Sequence, residues 1–405
     1  MMKHINILAF ISIILLISSC IEPIDFSTVS VESNLVVNAR ITNEFKFHTV
    51  ELSRTIPVDS SKVSPETNAK VSLLDETGFV YNFQETSSGI YNSVNEFAAE
   101  ANKTYTLNIE TSKGRKYSSS AETLPANASI AEITTNVENN EIAGTEELVI
   151  KVNSNISGGE GKYYRYEYDE TYKIKTPIWS SRKLLIISDK PPYEFQLVDK
   201  TPEEDGIGFC YGNQQSKRIL VTETLSLAQD QVVGFPIRQI PLDDYIIGIR
   251  YSILVKQYVI NRTTFEFYSL LETFSNPDDI FSQTQVGNIV SNIKSVEQPN
   301  EDKVIGFFDV SSVSTKRFFF NRNDVTDTKF VNYRTLVGCE ERVNPDIIGP
   351  TGNSPLLIRL QTGWIYQSPP DLPIIPPNKL YQLAQKPCGD CSHLGPVNPP
   401  EFWVE

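Results

Sequence analysis

The sequence predicts an all-β protein of tandem β-sandwiches, immunoglobulin-like and then fibronectin-like with insertions and one short helix. An extended cysteine-containing tail follows. Three observations predict this. Apolar residues recur at alternate positions in short runs, with turn residues between them about every 8–12 positions. Aromatic residues make up 10% of the chain, with 18 Tyr and 21 Phe, types that suit a pleated and half-buried surface. Finally, 405 residues exceed one ordinary domain at about 150 residues each, and 40% hydrophobic content suffices for more than one core.

The elements follow in order. Residues 1–19 read as an export leader: Lys3 and His4 precede an almost unbroken apolar run from Ile5 to Ile17. That run is too short to span a bilayer, which takes roughly 20 residues. Ile17-Ser18-Ser19-Cys20 resembles a bacterial lipobox, so Cys20 is the expected lipidation site and residues 20–33 the tether. No later run reaches spanning length, so lipid is the expected membrane attachment.

Residues 34–124 are expected to form the immunoglobulin-like sandwich. Leu35 to Ile41, Phe47 to Ser53, Ala69 to Asp75 and Thr104 to Glu110 alternate, and Glu76-Thr77-Gly78 turns the chain into Phe79 to Phe83. Leu124-Pro125 marks the boundary. Residues 125–322 are expected to form the fibronectin-like sandwich, with strands at Glu147 to Asn153, Tyr163 to Asp169, Tyr245 to Val259, Val304 to Phe308 and Thr315 to Phe320. Residues 175–240 read as an insertion. Thr263 to Phe274 has the helical period, placing Phe267, Leu270, Leu271 and Phe274 on one face. Residues 323–405 form the irregular tail, in which five prolines between Tyr366 and Pro377 predict a stiff, extended arm.

Charge and motif content exclude more than they assign. A formal net charge of −14 argues against a nucleic-acid partner, which needs a basic face, although a local basic patch stays open. The acidic surface favours basic ligands or basic receptor loops, or serves solubility alone. With His4 in the leader, only His48 and His393 remain, too few for histidine-rich metal chemistry. No P-loop, GxGxxG or HExxH occurs, and no Ser–His–acid or paired-acid set has a local frame. The expectation is no catalytic residue, no cofactor and no metal.

Cys210, Cys339, Cys388 and Cys391 read as disulfide cysteines of an exported protein. Two arrangements stand open: Cys210–Cys339 with a tight Cys388–Cys391, or crossed pairs that tie the tail down. A redox CxxC lacks its strand–helix frame here, and zinc is disfavoured by the long gaps. Asn321 to Asp327 offers alternating oxygen ligands for calcium but lacks the glycine and distal glutamate of an EF-hand, so a polar turn is preferred. The tyrosines from Tyr163 to Tyr168 serve either as core or as an exposed row for sugar or peptide, and Thr201 to Asp205 is an acidic loop.

Across nearly the whole chain the sequence resembles the DUF4249 family of Bacteroidota lipoproteins. The resemblance rests on LVVNARITNE at 35–44, HTVELSRT at 48–55, AKVSLLDETG at 69–78, KTYTLNIETSKGRKYSS at 103–119 and FCYGN at 209–213. VGNI at 286–289, VIGFFDVSSVSTKRFF at 304–319 and the tail CGDCSHLGPVNPPEFW at 388–403 complete it. Ser392-His393 stands where family tails carry arginine, so no role of that arginine carries over. The resemblance implies a lipid-anchored, non-enzymatic outer-membrane protein at the cell surface. It would be an accessory to a TonB-dependent, SusC-like transporter, taking up a peptide or other small nutrient. A surface structural, adhesion or secretion-associated protein is the alternative.

Overall fold

The computed structural model describes residues 33–56, 64–156, 162–201, 208–227, 230–275, 291–327, 339, 341–371 and 375–405. Cys20, the leader, most of the tether and all but Thr201 of the acidic loop lie outside them. The protein is mostly β-strand, with several sheets and few short helices.

The first unit holds β1 (Leu35–Thr42), β2 (Thr49–Arg54), β3 (Ser64–Pro65), β4 (Lys70–Asp75), β5 (Val80–Ser87), β6 (Ile90–Ser93), β7 (Thr104–Glu110), β8 (Lys116–Ser119) and β9 (Glu122–Thr123). The second begins with β10 (Ala128–Asn140), β11 (Thr145–Ile156) and β12 (Tyr163–Lys175), then the hairpin β13 (Arg182–Ser188) and β14 (Glu194–Asp199). It continues through β15 (Phe209–Gln215), β16 (Leu220–Glu223), β17 (Gln231–Pro241) and β18 (Arg250–Val259); β19 (Ile293–Ser295) returns to the first unit, and β20 (Val304–Asn321) runs through both. A C-terminal unit carries β21 (Arg342–Val343), β22 (Trp364–Ser368) and β23 (Gln382–Gln385).

Alternation does the sorting. In β1 it turns Leu35, Val37, Ala39 and Ile41 inward, against Leu73 of β4, Leu107 of β7 and Tyr91 of β6. Each fully buried Leu or Ile contributes about 1.5–3 kcal/mol through apolar burial. This core is closed by strands from beyond Leu124-Pro125: β19 pairs with β8, and the first half of β20 pairs parallel with β1. Gly306 permits that pairing. It sits at φ +111°, and a Cβ there would lie 1.8 Å from the Val37 carbonyl oxygen.

The second half of β20 pairs antiparallel with β18, continuing to β12 and then β15 and β16. The sheet β10-β11-β17 packs its Ile133, Leu148, Ile150 and Ile240 against Tyr164, Tyr166, Ile253 and Phe320 of this layer. The stretch 175–240, expected as an insertion, therefore supplies β15, β16 and β17 to the main sheets, while β13 and β14 form a sheet of their own.

The expected helix is Arg262–Ser275. Phe267 stacks on Phe307 with ring centroids 5.0 Å apart, and Phe265 on Tyr163 at the same spacing. Where this helix covers the junction of the two units, Tyr268 lies 4.1 Å over the Arg165 guanidinium. Arg40 donates there to Asp309 at 3.1 Å and to Glu167 at 3.2 Å.

The tail is more structured than an extended arm. β21, β23 and β22 form a three-stranded sheet with the helix Pro355–Gln361 and a core of Leu356, Trp364, Tyr366 and Leu383. Beyond Cys391 the chain runs back over the second unit. Trp403 packs edge-on against Tyr211 and Phe319, and Glu405 pairs with Lys173 at 2.7 Å.

Candidate ligand-binding site

The concavity with the most convergent chemistry lies between the β13–β14 hairpin and the C-terminal unit. It encloses about 520 Å³ and is lined from three stretches distant in sequence: Arg182 to Ile186 with Lys200, Leu360 with Gly363 to Tyr366, and Lys386 with Asp390, Ser392 and Val397. That volume lies within the roughly 300–1,000 Å³ of small-molecule sites.

Each wall has a local cause. Hairpin register sets Leu184 opposite Leu197 and Ile186 opposite Phe195, and Leu184, Phe195 and Leu197 pack on the C-terminal core. Ser354 caps the helix Pro355–Gln361 by accepting from the Leu357 N–H at 3.2 Å, with Pro355 in its first turn. The helix places Arg359 4.7 Å from the Trp364 ring centroid.

The third wall is the CxxC segment. Cys210 bonds Cys391 and Cys339 bonds Cys388, the crossed arrangement. Neither cysteine of the CxxC bonds the other, so it serves here as two anchors. Between them Gly389 approaches so closely that a Cβ would fall 2.6 Å from the Ile178 carbonyl oxygen and 2.7 Å from Ile365 Cδ1. The Ile178 N–H donates to the Cys388 carbonyl at 2.9 Å, and the Lys386 N–H to that of Gly363 at 2.8 Å.

The described lining of this cleft brings cationic side chains beside apolar ones. Among the described lining residues, Arg182, Lys183, Lys200 and Lys386 carry positive charge and Asp390 negative charge. Arg182 pairs with Asp199 at the exposed rim at 3.2 Å, and Lys386 lies 3.7 Å from Asp390. Burial works to raise the Asp390 pKa, but hydrogen bonds from Ser392 and the charges of Lys386 and Lys200 outweigh it and hold the carboxyl below its ordinary range. Burial raises the Tyr366 phenol, with nearby Arg182 opposing.

Two other depressions offer less. One, of about 640 Å³, is the outer face of β4, β5 and β7, where Lys70 is paired with Glu110 at 3.1 Å. Another, of about 660 Å³, is open and polar around Asp169, Asn213 and Arg317; Phe402 covers Arg317 at 3.5 Å.

The remaining sequence candidates fall elsewhere. Tyr164, Tyr166 and Tyr168 are buried core on one face of β12, with Tyr166 donating to Gln257 at 3.0 Å. They offer no exposed row. Asn321 to Asp327 holds a short helix, Arg322–Val325, whose capping box uses both Asn321 and Asp324, which leaves a polar turn. His48 is buried against Phe97, while His393 is exposed beside the Asp390 carbonyl. Among the described residues no three His, Cys, Asp or Glu side chains gather as a metal site, and no helix is long and apolar enough to cross a membrane.

A family model, described as a domain of unknown function (DUF4249), matches residues 21–317. The chain belongs to the DUF4249 family. No curated protein matches it. Among solved structures it is similar to a DUF4785 family protein from Legionella pneumophila, at 9% identity and a TM-score of 0.16, over 50% of this chain. The chain spans about half of that structure, 56% of its length. At that TM-score the likeness carries no argument for this DUF4249 chain, and the family match ends before the cleft's C-terminal walls.

Proposed function

We propose that this DUF4249 protein is an outer-membrane lipoprotein, anchored through Cys20 at the cell surface. In this reading it acts without catalysis as a ligand-binding accessory to a TonB-dependent, SusC-like transporter in nutrient uptake. The observation that carries the binding role is the disulfide-braced cleft, a preformed concave site with apolar walls and a few convergent polar groups. Lipid attachment holds such a site at the membrane and raises its effective concentration toward a partner there. Its two large β units are read as tandem sandwiches, immunoglobulin-like and then fibronectin-like; separate buried cores support this. A mild-detergent pull-down of the C-terminally tagged chain from native outer membranes tests the accessory role. A stoichiometric TonB-dependent receptor is the expected partner; its absence, alongside a preserved receptor–lipoprotein control, removes the stable complex.

One observation favours the second reading, a surface structural or adhesion protein. Phe45, Phe47 and Phe79 are exposed at 73%, 54% and 59%, at the end of the first unit opposite the point where the tether enters β1. Loss of cell–cell or surface adhesion on replacing these three with Ser, with nutrient uptake unchanged, would select it.

A further inference from the structure

We infer that the cleft takes a short peptide in extended form, held by its backbone as an added strand on the free edge of β13. This rests on the reading of the cleft as the ligand site and adds its chemical class. Two walls of the cavity are strand edges. One is the run from Arg182 to Ile186 in β13, and the other is the run from Gly363 to Tyr366 that enters β22. β13 pairs with β14, and β22 ends the order β21-β23-β22, so among the described residues each strand keeps one edge outside any ladder.

Ladder parity decides which backbone groups face that edge. Opposite residues of an antiparallel pair alternate between bonded and non-bonded sites. The Lys200 N–H donates to the Ser181 carbonyl at 2.8 Å, in step with Arg182 opposite Asp199. Lys183 and Leu185 therefore direct their N–H and C=O groups to β14, and Leu184 and Ile186 direct theirs to the open edge. On β22 the Lys386 N–H donates to the Gly363 carbonyl at 2.8 Å, so Ile365 bonds β23 while Trp364 and Tyr366 turn outward. Among the described residues, Leu184, Ile186, Trp364 and Tyr366 make no backbone hydrogen bond outside these ladders.

Unpaired strand N–H and C=O groups are a template for another extended chain. A sugar or a compact acid has no repeat of donor and acceptor at strand spacing to match them. β13 is the receiving edge: Leu185 and Ile186 are 39% and 40% exposed, whereas Trp364 and Tyr366 are 7% exposed each and form the facing wall. The run from Arg182 to Ile186 spans about 17 Å, the length of an extended pentapeptide. Ile186, Trp364 and Tyr366 suit apolar side chains at alternate positions of such a ligand.

The test uses purified full chain in zwitterionic nanodiscs and a mixture of pentapeptides blocked at both ends, randomised over all residues except Pro and Cys. Bound peptides are identified by mass spectrometry and the most enriched is measured by calorimetry. Its binding should shield Lys386, which lines the cleft, from acetylation. N-methylation of alternate residues in one parity should weaken it about tenfold or more, while methylation in the other parity weakens it less. Ile186→Pro removes an N–H aimed at the cavity without touching the ladder to β14; it should lower affinity about tenfold while the thermal midpoint persists. Equal affinity of the parent and both methylated forms overturns backbone pairing, as does enrichment of no peptide. A small-molecule fragment mixture run in parallel separates the failures. Fragments that shield Lys386 when no peptide does leave the cleft as the ligand site and remove the peptide; no shielding by either removes both.

Discussion

Arg40 makes the junction of the two β units depend on one guanidinium. It donates to Asp309 and Glu167 and meets the Tyr268 hydroxyl at 3.2 Å, with Tyr258 4.4 Å beneath it. Asp309 is 1% exposed, and burial raises its pKa despite Arg40 and the Ser311 hydroxyl. Removing only the cation strands a buried carboxylate, so Arg40→Ala should cost about 3–5 kcal/mol in urea unfolding. Arg40→Met with Asp309→Leu should recover most of that loss; a double variant as unstable as the single would refute the charge-based account. His48 makes a second residue-scale case. Its Nε2 donates to the Phe97 carbonyl at 2.9 Å, while Nδ1 is buried without a hydrogen-bond partner among the described residues. Burial lowers its pKa from 6.5 to about 4. The unfolded chain therefore takes up the proton first on acidification. The stabilising contribution is full above pH 6.5 and is lost as pH falls toward 4, up to about 3 kcal/mol. His48→Gln should flatten stability between pH 7 and 4.5 relative to the parent, and parallel curves would discount the effect.

Among the elements, the CxxC segment combines structural and functional roles. The Cys339–Cys388 bond closes a separation of 49 residues, and Cys210–Cys391 one of 181. On chain entropy alone these contribute about 4 and about 5 kcal/mol as upper values. Because Lys386, Asp390 and Ser392 form one wall of the cleft, Cys339→Ser with Cys388→Ser should loosen that wall first. Limited proteolysis should then cut within residues 341–385 while the two β units stay intact; unchanged resistance would show that packing alone holds the tail. The alternation of β1, β4, β7 and β12 was legible in sequence, as was the helix, because periodicity is a local property. Strand partners were not. β1 meets β20 across roughly 270 residues, and nothing in LVVNARIT names VIGFFDVS as its neighbour. The cleft was illegible for the same reason: Lys183, Trp364 and Lys386 converge only after the hairpin and tail have folded. The signal nearest to it was the crossed-pair option, which already tied Cys388 and Cys391 to the body. The prolines from 369 to 377 masked β22 and β23, which lie on either side of them.

For the whole molecule, β20 decides whether the units behave as separate beads. Its first half places Val304, Phe308 and Val310 in the first core, and its second half places Phe320 in the second. A strand cannot lose half its ladder without freeing the end of the other half, and Arg40–Glu167 ties the same junction. The two units should therefore unfold as one cooperative transition. The sequence supplies a clean reporter: its three tryptophans, Trp179, Trp364 and Trp403, all lie outside the first unit. Phe308→Ala empties a fully buried site in that unit and should cost about 3–5 kcal/mol. If β20 couples the cores, tryptophan fluorescence and far-UV dichroism will shift to lower denaturant together. If fluorescence holds its midpoint while dichroism splits into two steps, the units are independent and β20 is only a shared cable.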